Sequence, residues 1–558
     1  MQRGLPPVLI AGLAVVGLGG YAGAQQAPGL RVGVAQAAIT PTLSAERTVW
    51  IAGYQGNRPA KMVHDDLWVR ALALQDGERG VVLAVCDLLG FNRPLLLRVR
   101  QGLAAAEALK RAGIKPEEVH VAATHTHSGP DTIGLWGPSE GTSGVDAQYI
   151  EFLITTVARC VEEAVAAMAP ARLKVATGSA PGLSRNDRFR DILEACGIRD
   201  YASRDIPAEA EILDPDFAVM QVLGAAGSVM ATVVNWACHP EMSHTNLITS
   251  DFPHWLRGRL QEEYGGMALY FQGAEGGMVT GNSLPGEDIV ASERIGLALA
   301  ERVIEALSKG EEVQASPIKA QSRSIKVSIE NEGFKAAMAA GILPITPGAQ
   351  GELETEVTHL TVGPIEFVTI PGEALPNIAL MLKRSMRGEP KFVLGICDDE
   401  LGYILAPEDW GLPLYRYETS MSVASTIGRV IGDALLEMTE EAPPLGVGGG
   451  DVAAQVQAFF ASLAERFKPE QAEGVEALYQ INLTGEGGGQ WYVTVHNKQC
   501  AVATGMAEKP SLSLQAEASD WLKIVNGELN PTVAVLQGKL TFQPFDIAAA
   551  TKFAELFF

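Results

Sequence analysis

Apolar, β-rich runs that alternate with amphipathic helical patterns leave this chain few architectures to choose from. Runs such as 80-GVVLAVCDLLG-90 and 118-EVHVAATH-125 carry the short apolar stretches of buried strands. The segments 95-LLLRVRQGLAAAEALKRAG-113 and 149-YIEFLITTVARCVEEAVAAMA-169 instead repeat apolar residues at helical spacing. This alternation predicts an α/β domain whose sheet is covered on both faces. The sheet is expected to continue through 217-FAVMQVL-223, 229-VMATVVNWACHP-240, 268-ALYFQG-273 and 366-EFVTIPG-372, so that residues 30–440 form one unit of catalytic size. At 440-EEAPPLGVGGGD-451 paired prolines and a glycine run predict a linker over 441–451. Residues 452–558 are then long enough for a small α+β domain.

The first residues, 1-MQRGLPPVLIAGLAVVGLGGYAGAQQ-26, have one arginine, an uncharged apolar run and a small-x-small site at Ala22-Gly23-Ala24. That is the plan of a signal peptide over 1–24, with an uncleaved N-terminal anchor as the alternative. An exported protein, periplasmic or secreted, is the expectation, and peripheral membrane contact stays open. The chain holds 66 acidic against 43 basic residues, a formal charge of -23, which argues against nucleic acid as a partner. Six cysteines at 86, 160, 196, 238, 397 and 500 show no paired spacing, so they define no disulfide framework and read as small buried residues.

The stretch 120-HVAATHTHSGPD-131 sets His125 and His127 two apart at the end of an apolar run. If the strand extends that far, both imidazoles project from one face at the strand's C-terminal end, where open α/β sheets bind ligands. In 231-ATVVNWACHPEMSH-244 a second run stops at His239 before a proline, and 366-EFVTIPGEALPN-377 leaves Glu373 just past a Pro-Gly turn. Three strand ends that each deliver a nitrogen or carboxylate donor fit a His/His/Glu zinc site with room for water or substrate.

These pieces carry a resemblance to the neutral/alkaline, non-lysosomal ceramidases across most of residues 30–440. Its motifs are 32-VGVAQAAITP-41, 63-VHDDLWVRALAL-74, 122-AATHTHSGPD-131, 235-NWACHP-240, 271-FQGAEGGMVTGN-282, 371-PGEALPN-377, 401-LGYILAPEDW-410 and 415-YRYETSMS-422, in the family's order. The resemblance implies a zinc-dependent amidase that cleaves the N-acyl bond of a lipid such as ceramide. It implies His125, His239, Glu373 and Tyr403 as zinc ligands and His127 facing the reacting centre, and it suggests Arg185 in 184-SRND-187 and Tyr417 as further active-site residues. Where the family carries G-D-x-S-P-N with an essential serine, this chain reads 276-GGMVTGN-282, which places Thr280 at the serine position. Threonine keeps a hydroxyl that could act as nucleophile or oxyanion donor; otherwise water attacks directly. His244 and Asp251 either orient a ligand or satisfy their own loop, and Glu275 lies in the glycine-rich loop facing the expected pocket.

The tail resembles the SCP2 sterol-carrier fold through 512-LSLQAEASDWLKIVNGELNPTVAVLQGKLTFQPFDIAAATKF-553. That implies a five-stranded sheet with helices around an apolar tunnel, which Phe553, Leu556 and Phe557 would line or plug, and a lipid ligand. The expected activity is hydrolysis of an N-acylated amphiphile. The alternatives are another amide or an ester at the same metal, or a non-catalytic lipid-binding protein.

Overall fold

The computed structural model describes residues 29–439 and 452–557 except 140, 189–211, 281–287, 349, 465, 486, 526–530, 537 and 545. The expected leader over 1–24 and linker over 441–451 lie outside the described residues.

The large unit is a mixed α/β fold, as the alternation predicts, but its sheet is not simply sandwiched between helices. Nine strands form the path Met267–Gln272, Val229–Trp236, Asp216–Gly224, Ala169–Ser179, Arg31–Ala38, Trp68–Gln75, Gly80–Cys86, Val119–Ala123, with Glu311–Val313 added to Ala169–Ser179. Within the sheet, the described residues join the two halves by the short pairing of Arg31 and Val32 with Pro170 and Ala169. They fold face to face, so Leu72, Leu74 and Leu83 of one half share an apolar cluster with Met220, Val233 and Leu269 of the other. Alternate residues face outward. Ala71, Ala73 and Ala84 meet the helices Arg93–Leu103 and Ala147–Ala166, while Val219, Val234 and Tyr270 meet Phe252–Tyr264 and Asp288–Ser308. Runs apolar on both faces are thus explained by helices on one side and the second half-sheet on the other. Most pairs are antiparallel; only the outermost two are parallel. The run around 366, expected in this sheet, belongs instead to a separate one of Ile318–Ser328, Glu352–Val362, Ile365–Thr369 and Lys391–Leu394. There it forms a hairpin with the eleven-residue strand Glu352–Val362, a partner that periodicity alone does not reveal.

One buried ion pair bolts the halves together. Arg257 grips Asp87 through two bonds of 2.8 and 2.9 Å and donates to Ser250 Oγ at 2.8 Å, while Asp87 also accepts from the Trp68 N–H at 2.9 Å. Both side chains are almost wholly enclosed. Arg257→Met leaves the Asp87 carboxylate buried and unpaired, so we expect a loss of about 3–5 kcal/mol in urea unfolding.

The tail forms a five-stranded sheet in the order Gln499–Thr504, Gly489–His496, Ala477–Thr484, Leu512–Glu517, Leu540–Gln543. Helices Val452–Ser462, Ala518–Val525, Pro531–Leu536 and Ile547–Phe557 accompany it. Phe553, Leu556 and Phe557 are buried in its apolar cluster. Among the described cysteines all five are free, and four are buried.

Candidate metal centre

His125 reaches the site by a route the strand period does not describe. The strand ends at Ala123, and His125 takes a left-handed backbone with φ +69°, held by its N–H on the Leu88 carbonyl at 2.9 Å. The turn, rather than strand alternation, sets the His125 and His127 rings 4.9 Å apart. His239 follows the strand Val229–Trp236, and its N–H meets the Met278 carbonyl at 2.9 Å. Glu373 and Tyr403 are brought side by side by the short parallel pairing of Glu373–Ala374 with Tyr403–Ile404.

The ring orientations are fixed by carbonyls. His125 Nδ1 lies 2.8 Å from Leu89 O, and His239 Nδ1 lies 3.0 Å from Met278 O. A carbonyl only accepts, so each Nδ1 carries the proton and each Nε2 turns a lone pair inward. Those Nε2 atoms stand 3.5 and 3.2 Å from Glu373 Oε2, and the Tyr403 hydroxyl is 3.5 Å from His239 Nε2. Four donors about 2.1 Å from a tetrahedral ion are about 3.4 Å from one another. The residues present therefore fit a zinc ion in spacing, tautomer and donor type.

Electrostatics agree. Burial works to lower His239, but the hydrogen bond and charge of Glu373 push it up to about 10. Burial works to raise Glu373, but the charges and hydrogen bonds of His125 and His239 hold it well below the usual carboxylate range. The three donors favour positive charge between them, which a divalent cation supplies with release of protons. Burial, and then Glu373, raise the Tyr403 phenol well above its ordinary value. His127 differs: both its ring nitrogens are enclosed and have no hydrogen-bond partner among the described residues, and burial together with His125 and His239 holds it well below 6.5. It is a neutral imidazole with a free lone pair. Gly53, at φ +82°, backs it so closely that a Cβ there would stand 2.5 Å from the ring.

The other expected residues divide. Thr280 is buried on Met278–Thr280, and its hydroxyl donates to the Met242 sulfur. Arg185 is exposed, paired opposite Val279, and is not brought to the cluster. Arg188 instead ion-pairs with buried Glu418 at 2.8 Å, next to Tyr417. Tyr417 is 55% exposed at the rim, its ring 5.7 Å from that of Tyr403. His244 stacks on Tyr54 at 4.2 Å, and Tyr54 packs against His127. Asp251 accepts backbone N–H groups from Phe252 and Ser243, at 2.6 and 3.1 Å, as a loop satisfying itself would. The residue that the sequence undervalues is Glu275, fully buried beside His125 and Glu373. A second buried group, His120 with Asp398 at 2.7 Å, anchors the loop leading to Tyr403 and adjoins the Arg100–Glu356 pair.

The chain has a ceramidase-like mixed α/β fold over most of its length and a C-terminal SCP2 domain. Residues 458–558 match the SCP-2 sterol transfer family. The solved neutral ceramidase from Pseudomonas aeruginosa has the same fold, with a TM-score of 0.60 over 76% of this chain and 76% of that one at 18% identity. In sequence, neutral ceramidase of Pseudomonas aeruginosa is 26% identical over 251 residues, 44% of this chain and 35% of that protein. Hydroxysteroid dehydrogenase-like protein 2 of Danio rerio is 28% identical over 119 residues, 21% of this chain and 27% of that protein. The chain thus spans about a third of the neutral ceramidase and about a quarter of the hydroxysteroid dehydrogenase-like protein.

Proposed function

We propose that this chain is a zinc-dependent hydrolase that cleaves the N-acyl amide bond of ceramide or a related lipid amide to a fatty acid and an amine. The observation that carries this reading is the inward-facing pair of Nε2 atoms, each 3.2–3.5 Å from one Glu373 oxygen, in a fold shared with neutral ceramidase. His125, His239 and Glu373 would hold the zinc, with Tyr403 on a fourth side. Bound zinc would supply Lewis-acid polarisation of the amide carbonyl. His127, held neutral by its burial, takes a proton from the attacking water and returns it to the leaving amine. Tyr417, exposed 5.7 Å from the Tyr403 ring, would meet the head group.

The lipid character of the substrate is supported by the second domain. One apolar cluster runs from Tyr403 and Leu375, through Leu405 and Tyr415, into the tail's own core at Phe459 and Trp521. The SCP2 domain would shelter the acyl chain while the amide lies at the metal. The test is metal analysis of the purified protein, together with turnover of a panel of N-acyl lipids and matched esters. Bound zinc with amide cleavage is expected. A preparation that binds lipid but neither zinc nor turns over any amide or ester would make it a lipid carrier instead.

Thr280 has its hydroxyl engaged with a sulfur rather than with an imidazole. We therefore expect Thr280→Ala to keep kcat within roughly fivefold of wild type, with water as the attacker. A loss of about a thousandfold would make threonine the nucleophile.

A further inference from the structure

We propose that Arg58 is the positioning residue of His127: one buried guanidinium holds the backbone of that imidazole and both residues packed on its ring, and so aims it at the reacting centre. This rests on the reading that the site hydrolyses an amide. His127 lacks the anchors its neighbours have. His125 and His239 are each turned by a carbonyl at Nδ1, whereas neither His127 ring nitrogen has a hydrogen-bond partner among the described residues. Its aim therefore depends on its backbone and on what packs against the ring. Gly53 backs the ring with no room for a Cβ, and Tyr54 meets it edge-on at 4.9 Å.

Arg58 is buried and reaches all of these. Its Nη1 donates to the carbonyls of His127 at 3.0 Å, Ala52 at 3.1 Å and Gly53 at 3.2 Å, and its Nη2 donates to that of Thr245 at 2.9 Å. The guanidinium carbon stands 5.0 Å from the centre of the Tyr54 ring, a cation–π contact. Tyr54 is held from its other side as well: its hydroxyl donates to Glu241 O, and its ring stacks on His244 at 4.2 Å. Pro240 O, one residue earlier, accepts from the His127 N–H at 3.1 Å. Segments around 53, 127 and 243, far apart in the chain, thus meet at one side chain. Each of the four bonds goes to a backbone carbonyl and none to a carboxylate, unlike the grip of Arg257 on Asp87. An arginine used this way fixes main-chain positions rather than neutralising an acid. Lysine is no substitute, because a single ammonium lacks the rigid fork whose two ends serve different segments.

The full chain is compared with its Arg58→Lys and Arg58→Ala variants for zinc content, and for kcat and KM on an N-acyl lipid. Arg58→Ala is expected to keep its zinc and to lose about a hundredfold in kcat with KM within roughly threefold, as a displaced proton-transfer group does. Guanidinium chloride, well below the concentrations that unfold the protein, should recover at least about tenfold of that loss, and ammonium chloride should not. Arg58→Lys, which keeps the buried charge, is expected to hold its zinc and its unfolding midpoint and still to lose at least about tenfold in kcat; should Arg58→Ala fail to fold, this variant decides. A kcat of Arg58→Lys within about threefold of wild type, or a loss in Arg58→Ala that guanidinium does not reduce, overturns this assignment alone. A wild type that turns over no amide or ester overturns it together with the hydrolase reading.

Discussion

Replacing His239 with alanine is expected to strip the protein of zinc and to lower kcat/KM on an N-acyl lipid by about 10⁴-fold or more. His239 holds two links of the site at once. Its Nε2 sits 3.2 Å from Glu373, and its backbone N–H and Nδ1 both bond Met278 O, which fixes the turn that carries Glu275. Truncation therefore removes one of three converging donors and loosens a neighbour. The residual activity reflects substrate binding and His127 alone, which is why the expected loss is nearly complete. Metal content and kinetics should fall together, and a chelator should reproduce the loss in wild type, reversed by added zinc. An alanine variant that keeps one zinc per chain and its rate would show that the donors face one another for structural reasons only.

That His239 could be singled out from sequence follows from where punctuation falls. An apolar run that stops at His-Pro must end its strand there, and the same logic marks Glu373 after Pro-Gly. His125 was legible as a donor but not in its geometry: the left-handed turn at φ +69° depends on the Leu88 and Leu89 carbonyls of a neighbouring strand end, which no local pattern reports. Glu275 illustrates the other limit. A glutamate between glycines reads as a loop residue, and its complete enclosure arises from Gly395 and Ala374, more than ninety positions away in the chain. Arg185 leaves its three-residue strand exposed, whereas Arg188, two residues past that strand, reaches buried Glu418, and that difference is tertiary. Likewise the division of the nine strands into two facing halves comes from pairing between distant segments, whereas mixed α/β character was evident in the alternation itself.

The second large effect concerns acyl length. Since Tyr403 and Leu375, beside the metal donors, belong to the same apolar cluster as the SCP2 core, under the proposed function a long acyl chain is expected to be sheltered where the two domains meet. Each sheltered methylene is worth about 0.8 kcal/mol, so ten more carbons offer about 8 kcal/mol before the costs of ordering the chain. Even a third of that gives about a hundredfold advantage in kcat/KM for a sixteen-carbon over a six-carbon amide of the same head group. Leu412 and Leu414 are half-buried where the large domain meets this cluster. An aspartate at Leu414 puts an unpaired charge in that joint, which should part the surfaces and reduce the length advantage to below about tenfold. Leu414→Met, which keeps volume and apolarity, should restore it and so separate loss of the joint from misfolding. If the Leu414→Asp enzyme turns over both amides and retains the wild-type ratio between them, the SCP2 domain plays no part in sheltering the chain, and the acyl group must lie wholly within the ceramidase-like domain.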